Sequence, residues 1–209
     1  MSPTSLIEIE TPSGPARAHL ELVDRPRGAL ILGHGAGGGV SAKDLVAAAA
    51  VAVSLGASVA LVEQPYRVAG RRSPPRAPVL DAAWTAVVAH LAQHELAGLR
   101  IVAGGRSSGA RVACRTAAAT AAVGVLCLAF PLRPSPRASG VQAPSRLPEL
   151  DLVDVPVLVV QGTRDPFGMP PPGPRRTVVA VAGDHGLKAD AAGVRSAIDV
   201  WLSALLAGL

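Results

Sequence analysis

Aromatic residues are scarce in this chain of 209 residues: they make up 2% of the sequence, while all hydrophobic residues together make up 49%. The aromatic residues are Tyr66, Trp84, Phe130, Phe167 and Trp201. Proteins that bind single-stranded nucleic acids stack the bases on aromatic rings, so this scarcity argues against that class of function. The interior must instead be built from alanine, valine and leucine, which are abundant enough for a sizeable core.

Lysine is also scarce, because only Lys43 and Lys188 stand among the 20 basic residues. The net charge of +5 therefore comes from arginine. Apart from pairs such as Arg71-Arg72 and Arg175-Arg176, the arginines are scattered along the chain. They do not form the continuous basic stripe that follows a phosphate backbone, and we predict no nucleic-acid partner.

The two cysteines, Cys114 and Cys127, stand in apolar surroundings and lack the C-x-x-C spacing. This context is typical of small core residues rather than of a disulfide or a metal-binding pair. The thiols fit a reducing compartment, and we predict a cytoplasmic location.

No segment of the sequence is typical of a signal peptide or a membrane span. Residues 1–10 lack a basic stretch followed by an apolar one. Residues 45–62 carry no charge, but serines and Gly56 interrupt them, which favours a helix, a turn and a strand over a membrane-spanning helix.

Short β-branched runs alternate with longer segments rich in alanine and leucine. At this chain length the alternation predicts one α/β domain over residues 1–209, with a mainly parallel sheet covered by helices on both faces. Ser41, with Asp44 three residues later, predicts a capping box at the start of the first long helix. The predicted strands are 6–10, 16–22, 29–32, 58–62, 100–103, 123–130, 157–161 and 177–181, and the predicted helices are about 41–54, 79–96, 108–121 and 189–207.

Two loops rich in proline and arginine interrupt this pattern, at residues 64–78 and 131–148. Loops of such length inside a domain are more often functional than idle. The chain is too short for a large inserted lid, so we predict no lid domain. Residues 131–148 are the main candidate for a cap over the site, with residues 64–78 opposite.

A nucleophile pattern, Gly105-Arg106-Ser107-Ser108-Gly109, stands between a predicted strand and a predicted helix. The glycines permit a sharp turn that lifts Ser107 out of the sheet, as the serine of a hydrolase requires. A glycine-rich turn with a serine of no special role is the alternative.

A serine needs a base to take its proton and a carboxylate to orient that base. Asp165 follows one later strand and His185 follows the next, and the order serine, acid, histidine is the order of α/β-hydrolases. Taken alone, Asp165 is explained equally well as a turn residue before Pro166, and His185 as a loop histidine. Backbone N–H groups of Ala36 and Ser108 are the predicted donors to a developing oxyanion.

Two competing patterns are weaker. Gly33-x-Gly35-x-x-Gly38 matches a dinucleotide-binding fingerprint, with Glu63 as the ribose ligand, but Glu63 lies late for the usual spacing. His90 and His94 stand four apart on a predicted helix without the further ligands that a metal site needs. We therefore predict no metal and no cofactor.

Four segments together resemble the small α/β-hydrolases of the dienelactone-hydrolase-like group. The segments are residues 32–37, 104–111, 161–168 and 183–185, and residues 65–66 and 70–72 extend the resemblance over nearly the whole chain. The branch most similar is that of bacterial relatives of the hydrolase-like domain in a subunit of a chromatin acetyltransferase complex. One departure from the pattern is the Ser108-Gly109-Ala110 run, where relatives often carry a bulkier residue and then a second glycine.

The resemblance implies an α/β-hydrolase fold with a mostly parallel eight-stranded sheet. It implies Ser107 as nucleophile, Asp165 as acid and His185 as base, with Ala36 and Ser108 as oxyanion donors. The expected function is hydrolysis of a small ester or thioester through an acyl-enzyme, and the alternative is a non-catalytic interaction module with the same fold. The sequence does not specify the oligomeric state.

Tyr66 and Arg106 are the predicted substrate-binding side chains. Several arginines around the predicted site would bias it toward acidic substrates, although arginines in loops are more often solvated. They are Arg67, Arg71, Arg72, Arg106 and Arg133.

Overall fold

A computed structural model describes residues 5–134 and 143–208, and eight strands in this part of the chain form one sheet. In chain order they are β1 (Ser5–Ile9), β2 (Ala16–Glu21), β3 (Ala29–Gly33), β4 (Ser58–Glu63), β5 (Ile101–Arg106), β6 (Gly124–Leu128), β7 (Val157–Gly162) and β8 (Arg176–Val181). Their order across the sheet is β1-β2-β4-β3-β5-β6-β7-β8. β2 runs antiparallel to both β1 and β4, and every other pair is parallel. The predicted mostly parallel eight-stranded sheet is confirmed.

Helices cover both faces of the sheet, so the protein has two apolar layers. The helices are α1 (Lys43–Ser54), α2 (Pro65–Val68), α3 (Ala77–Gln93), α4 (Ser108–Thr116), α5 (Leu147–Asp151) and α6 (Ala191–Ala207). Side chains of α1 and α6 bury against one face, and those of α3, α4 and α5 bury against the other. Both layers consist mainly of alanine, valine and leucine, as the composition predicts, and Trp84 and Phe130 are the largest fully buried side chains. The described residues contain no inserted lid domain.

Three local predictions differ from the structure. The capping box at α1 is wrong: the N-cap is Ala42, no side chain caps the helix, and the carboxylate of Asp44 instead forms an ion pair with Arg106. Two short helices were not predicted: α2 lies inside the predicted loop 64–78, and α5 begins inside the predicted loop 131–148. α4 ends at Thr116 instead of continuing to residue 121.

The uncharged stretch 45–62 has the predicted three-part structure. α1 ends at Ser54, Gly56 makes a turn with a φ of +80°, and β4 begins at Ser58. Among the residues that the structure describes, no helix combines the length and the apolar character needed to cross a membrane.

Candidate active site

Three parallel strands bring the predicted catalytic side chains to one edge of the sheet. Ser107 follows β5, Asp165 lies three residues beyond the end of β7, and His185 lies in the loop after β8. The carboxyl ends of parallel strands share one edge, which is where α/β sheets bind ligands. Ser107 has a φ of 52° and a ψ of −107°, a strained conformation for a residue with a side chain.

Glycine permits the sharp turn at Ser107 because backbone packs against backbone there. A Cβ atom on Gly109 would overlap the main chain of Gly33 at the end of β3. A Cβ atom on Gly105 would lie only 2.5 Å from the Gly33 carbonyl oxygen. The outer glycines of the G-x-S-x-G pattern therefore let the start of α4 pack closely on β3.

A hydrogen-bonded chain joins the serine, the histidine and the aspartate. The Ser107 hydroxyl donates to Nε2 of His185 at 3.0 Å, and Nδ1 of the same ring donates to Oδ2 of Asp165 at 2.8 Å. A neutral imidazole with its proton on Nδ1 satisfies both bonds, since Nε2 is then free to accept. The structure thus brings together the three residues in the arrangement that activates a serine.

The carboxylate of Asp165 is fully buried and its remaining acceptor sites are filled. Gln161 donates through Nε2 to Oδ2 at 2.8 Å, and the backbone N–H of Phe167 donates to Oδ1 at 2.9 Å. The Gln161 amide is itself held by the carbonyls of Phe130 and Gly168. The Phe167 ring packs edge-on against the His185 imidazole, with centroids 4.6 Å apart. The buried Gln161 and the half-buried Phe167 thus hold Asp165 and His185 in place.

His34 orients the glycine-rich loop after β3. Its Nδ1 donates to the carbonyl of Gly35 at 2.8 Å, while its Nε2 accepts from the backbone N–H of Gln64 at 3.1 Å. Only a neutral ring satisfies both bonds, and burial lowers the pKa of His34 accordingly. Because the peptide bond is trans and planar, fixing the Gly35 carbonyl turns the N–H of Ala36 away from His34.

Tyr66 holds the next peptide of that loop. Its hydroxyl donates to the carbonyl of Ala36 at 3.0 Å, and burial raises the pKa of this phenol. Gly35 lies against the nucleophile, since an added Cβ there would be 3.6 Å from Cβ of Ser107. Neither the N–H of Ala36 nor that of Ser108 donates to another of the described residues. Both predicted oxyanion donors are therefore free for a ligand.

Arg106 is held by two protein groups. Its Nε lies 2.8 Å from Oδ2 of the buried Asp44, and its Nη2 donates to the carbonyl of His185 at 2.8 Å. Burial raises the pKa of Asp44, and the neighbouring guanidinium opposes that rise. Arg106 and Tyr66 both contact the backbone of the site, and their predicted contacts with substrate stay predictions.

Residues of the two competing patterns, Glu63 of the dinucleotide fingerprint and the pair His90 and His94, contact other side chains of the protein. The Glu63 carboxylate lies 3.4 Å from Nε2 of His19. The rings of His90 and His94 stack with centroids 4.3 Å apart. Among residues 5–134 and 143–208, no group of three or more histidine, cysteine, aspartate or glutamate side chains is placed to hold a metal ion.

The two proline-rich loops flank the site at their described ends. The N–H of Arg133 donates to the carbonyl of Phe167 at 2.9 Å, and the N–H of Arg146 donates to Leu132 at 2.8 Å. Residues 135–142 of the predicted cap lie outside the described residues. In the other loop, Arg71 and Arg72 are exposed to solvent.

Sequence reasoning gave no role at the site to three supporting residues: Gln161, His34 and Asp44, the last of which it placed in a capping box instead. A signal existed for Gln161, because a glutamine ends the otherwise apolar strand β7 and a buried polar side chain needs partners. His34 likewise follows a fully buried strand directly. Asp44 offered no such signal, since an acidic residue in the first turn of a helix is ordinary.

The sequence from residue 26 to residue 202 matches a family model for the α/β hydrolase domain. The chain belongs to this α/β hydrolase family. A comparison with curated proteins finds no match.

Solved structures of α/β hydrolases share the fold over nearly the whole chain. Est1E from Butyrivibrio proteoclasticus is 15% identical, with a TM-score of 0.77, and the match covers 97% of this chain and 99% of that one. A serine hydrolase without a lid from Xanthomonas campestris is 18% identical, with a TM-score of 0.72 and coverage of 96% and 94%. A dienelactone hydrolase from Anabaena variabilis is 14% identical, with a TM-score of 0.72 and coverage of 99% and 97%. At these identities the similarity shows the fold.

Proposed function

We propose that the protein is a serine hydrolase that cleaves a small ester or thioester through an acyl-enzyme, without a cofactor. The observation that carries the proposal is the hydrogen-bonded chain from Ser107 through His185 to the buried Asp165. One structural neighbour supports an ester as substrate class, because Est1E has been solved with ferulic acid bound, and a carboxylic acid is the product that ester cleavage releases. We further propose one hydrolase domain over residues 1–209 and a cytoplasmic location, which the free thiols of Cys114 and Cys127 support.

In the first half of the reaction, Nε2 of His185 takes the proton of Ser107 as Oγ attacks the substrate carbonyl. Asp165 keeps the other ring proton on Nδ1 and stabilises the imidazolium that forms. The negative charge on the carbonyl oxygen is met by the N–H groups of Ala36 and Ser108. These donors are fixed before the reaction, so they stabilise the oxyanion without reorganising.

In the second half, the tetrahedral intermediate collapses and the imidazolium gives its proton to the departing alcohol or thiol. The acyl group remains on Ser107 Oγ. Water then attacks the acyl carbonyl while His185 takes its proton, and a second collapse releases the acid and restores the Ser107 hydroxyl.

A fluorophosphonate probe tests the proposal together with short-chain p-nitrophenyl esters and a matching thioester. The folded wild-type protein should be labelled once per chain and should hydrolyse at least one substrate, whereas Ser107→Ala should do neither. Ser108→Ala serves as the matched control, because it keeps the backbone N–H and should still be labelled.

A folded wild-type protein that is neither labelled nor active would contradict the proposal. That result favours the interaction module, which the sequence resemblance to a domain of a chromatin acetyltransferase complex subunit also suggests. Fold alone does not decide between the two, because one fold hosts many functions.

A further inference from the structure

The Arg106 side chain links the nucleophile to the loop that carries the base. Arg106 is the last residue of β5 and directly precedes Ser107, so the two Cα atoms are about 3.8 Å apart. Its guanidinium donates through Nη2 to the carbonyl of His185, which is 79 residues away in the sequence. We propose that Arg106 is a positioning residue that sets the place of His185 relative to Ser107. The proposal rests on the serine hydrolase function proposed above.

The loop that carries His185 has no helix or strand between β8 and α6, so its contacts with other elements set its position. Its internal bonds shape it only locally: Leu187 N–H donates to Asp184 O at 3.1 Å, and Gly186 N–H donates to Asp184 Oδ1 at 2.8 Å. The N–H of Arg164 attaches its first part to the Asp165 turn, through the carbonyl of Gly183 at 2.8 Å. Two bonds join this loop to the end of β5: the one from Ser107 to the His185 ring, and the one from Arg106 to the His185 backbone.

Asp44 holds the other end of the guanidinium. Its carboxylate is 2% exposed and lies 2.8 Å from Nε of Arg106, whose side chain is 20% exposed. The second carboxylate oxygen accepts from the N–H of Leu45 at 3.0 Å, so the carboxylate is itself anchored to the start of α1. A planar guanidinium fixed at one edge presents its other donors in a defined direction, which the flexible ammonium of lysine does not.

Loss of this support should act on the chemical step. A misplacement of about 1 Å in a catalytic group costs about a hundredfold in rate. The donor that Arg106 directs to His185 meets a backbone carbonyl of the protein and not a substrate atom. We therefore expect kcat to fall while KM for a neutral ester stays nearly constant.

The test compares Arg106→Gln, Asp44→Asn and the double variant with the wild type, using p-nitrophenyl acetate and the fluorophosphonate probe. We expect Arg106→Gln to lower kcat by about 10- to 100-fold, with KM within about threefold of wild type. Asp44→Asn should lower kcat less, and in the Arg106→Gln background it should add little, because both residues act through one linkage.

Arg115→Gln is the matched control. Arg115 is similarly buried, at 15% exposure, and forms ion pairs with Asp81 and Glu149, but it lies on α4 without contact to the three catalytic side chains. Its loss should lower the free energy of unfolding and leave kcat unchanged. Added guanidinium ion, kept well below denaturing concentrations, should restore part of the activity of Arg106→Ala, and sodium chloride at the same ionic strength should not.

Two results would overturn the proposal while leaving the serine hydrolase intact. One is a wild-type kcat in folded Arg106→Gln. The other is an increase in KM confined to an anionic ester, which would make Arg106 a substrate ligand. Should the wild type itself show no labelling or turnover, a crystal structure of Arg106→Gln still decides, because an unchanged 3.0 Å between His185 Nε2 and Ser107 Oγ refutes the positioning role.

Discussion

His34 is a buried side chain whose protonation would affect both the stability of the protein and the candidate site. Both ring nitrogens face backbone groups, and the bond from the Gln64 N–H requires that Nε2 carry no proton. Burial is the main cause that lowers the pKa of His34 below its ordinary value of 6.5. Protonation would therefore break a bond that orients the loop beside Ser107.

We predict that His34 makes the protein less stable as the pH falls. Between 6.5 and the lowered pKa, the unfolded chain binds a proton at His34 and the folded protein does not. The free energy of unfolding should thus decrease by up to about 1.4 kcal/mol for each unit by which the pH falls below 6.5. Above that pH, the contribution of the neutral His34 to stability should be complete. Urea unfolding of wild type and His34→Asn, over a series of pH values, measures the difference in slope. Equal slopes for the two proteins would contradict the prediction.

The residues proposed to react with substrate were predictable from sequence, whereas the residues that hold them in place were mostly not. Ser107, Asp165 and His185 each follow a recognisable strand, so the pattern and the family resemblance both locate them. Asp44, on α1, depends on Arg106, a partner on a strand distant in the sequence, and nothing local distinguishes its role from that of an acidic residue at a helix start. The family resemblance indicated Tyr66, but its bond to the Ala36 carbonyl required coordinates.

At the scale of elements, the close packing of α4 on β3 depends on glycine. We predict that Gly109→Ala destabilises the protein by at least about 1 to 3 kcal/mol, because the added methyl group overlaps the Gly33 backbone and one of the two elements must move. Chemical unfolding measures the loss. Gly39→Ala is the control, since a Cβ there meets no atom within 4 Å, and an equal loss in both variants would contradict the argument.

α6 stabilises the fold through one face only. Leu202 is fully buried between α6 and the sheet, whereas Val200, two residues earlier, is 68% exposed. We predict that Leu202→Ala costs about 2 to 5 kcal/mol of unfolding free energy, a large part of the roughly 5 to 15 kcal/mol that holds a domain folded. Val200→Ala should change it by less than about 0.5 kcal/mol. Thermal and urea unfolding of both variants test this, and similar losses would refute the assignment of faces.

Elements with a clear hydrophobic pattern were predicted, and the two shortest helices were not. The predicted strands all occur, because each is an apolar run of a few residues bounded by turn residues. α2 and α5 were missed because a helix of four or five residues is too short to show a period. α4 was predicted too long because its alanine-rich sequence continues beyond Thr116, although the helix does not.

At the scale of the whole molecule, local sequence patterns do not specify the order of the strands across the sheet. Alternating strands and helices predict a parallel sheet, but β3 lies between β4 and β5, and the chain crosses β3 to continue the sheet. The family resemblance implied eight strands and a mostly parallel sheet, and the structure agrees. Within the described residues, β5 lies inside the sheet and has a parallel neighbour on each side. Ser107, the predicted nucleophile, therefore lies near the middle of the edge formed by the carboxyl ends of the parallel strands.

The scarcity of aromatic rings has a practical consequence for observing this protein. Trp84 is 1% exposed, and one edge of its indole lies 3.1 Å from where a Cβ of Gly33 would be, directly behind the turn that carries the nucleophile. The other tryptophan, Trp201, lies on α6. Replacing Trp201 by phenylalanine would leave one tryptophan, and we expect its emission to report on the proposed acylation of Ser107 without any attached dye.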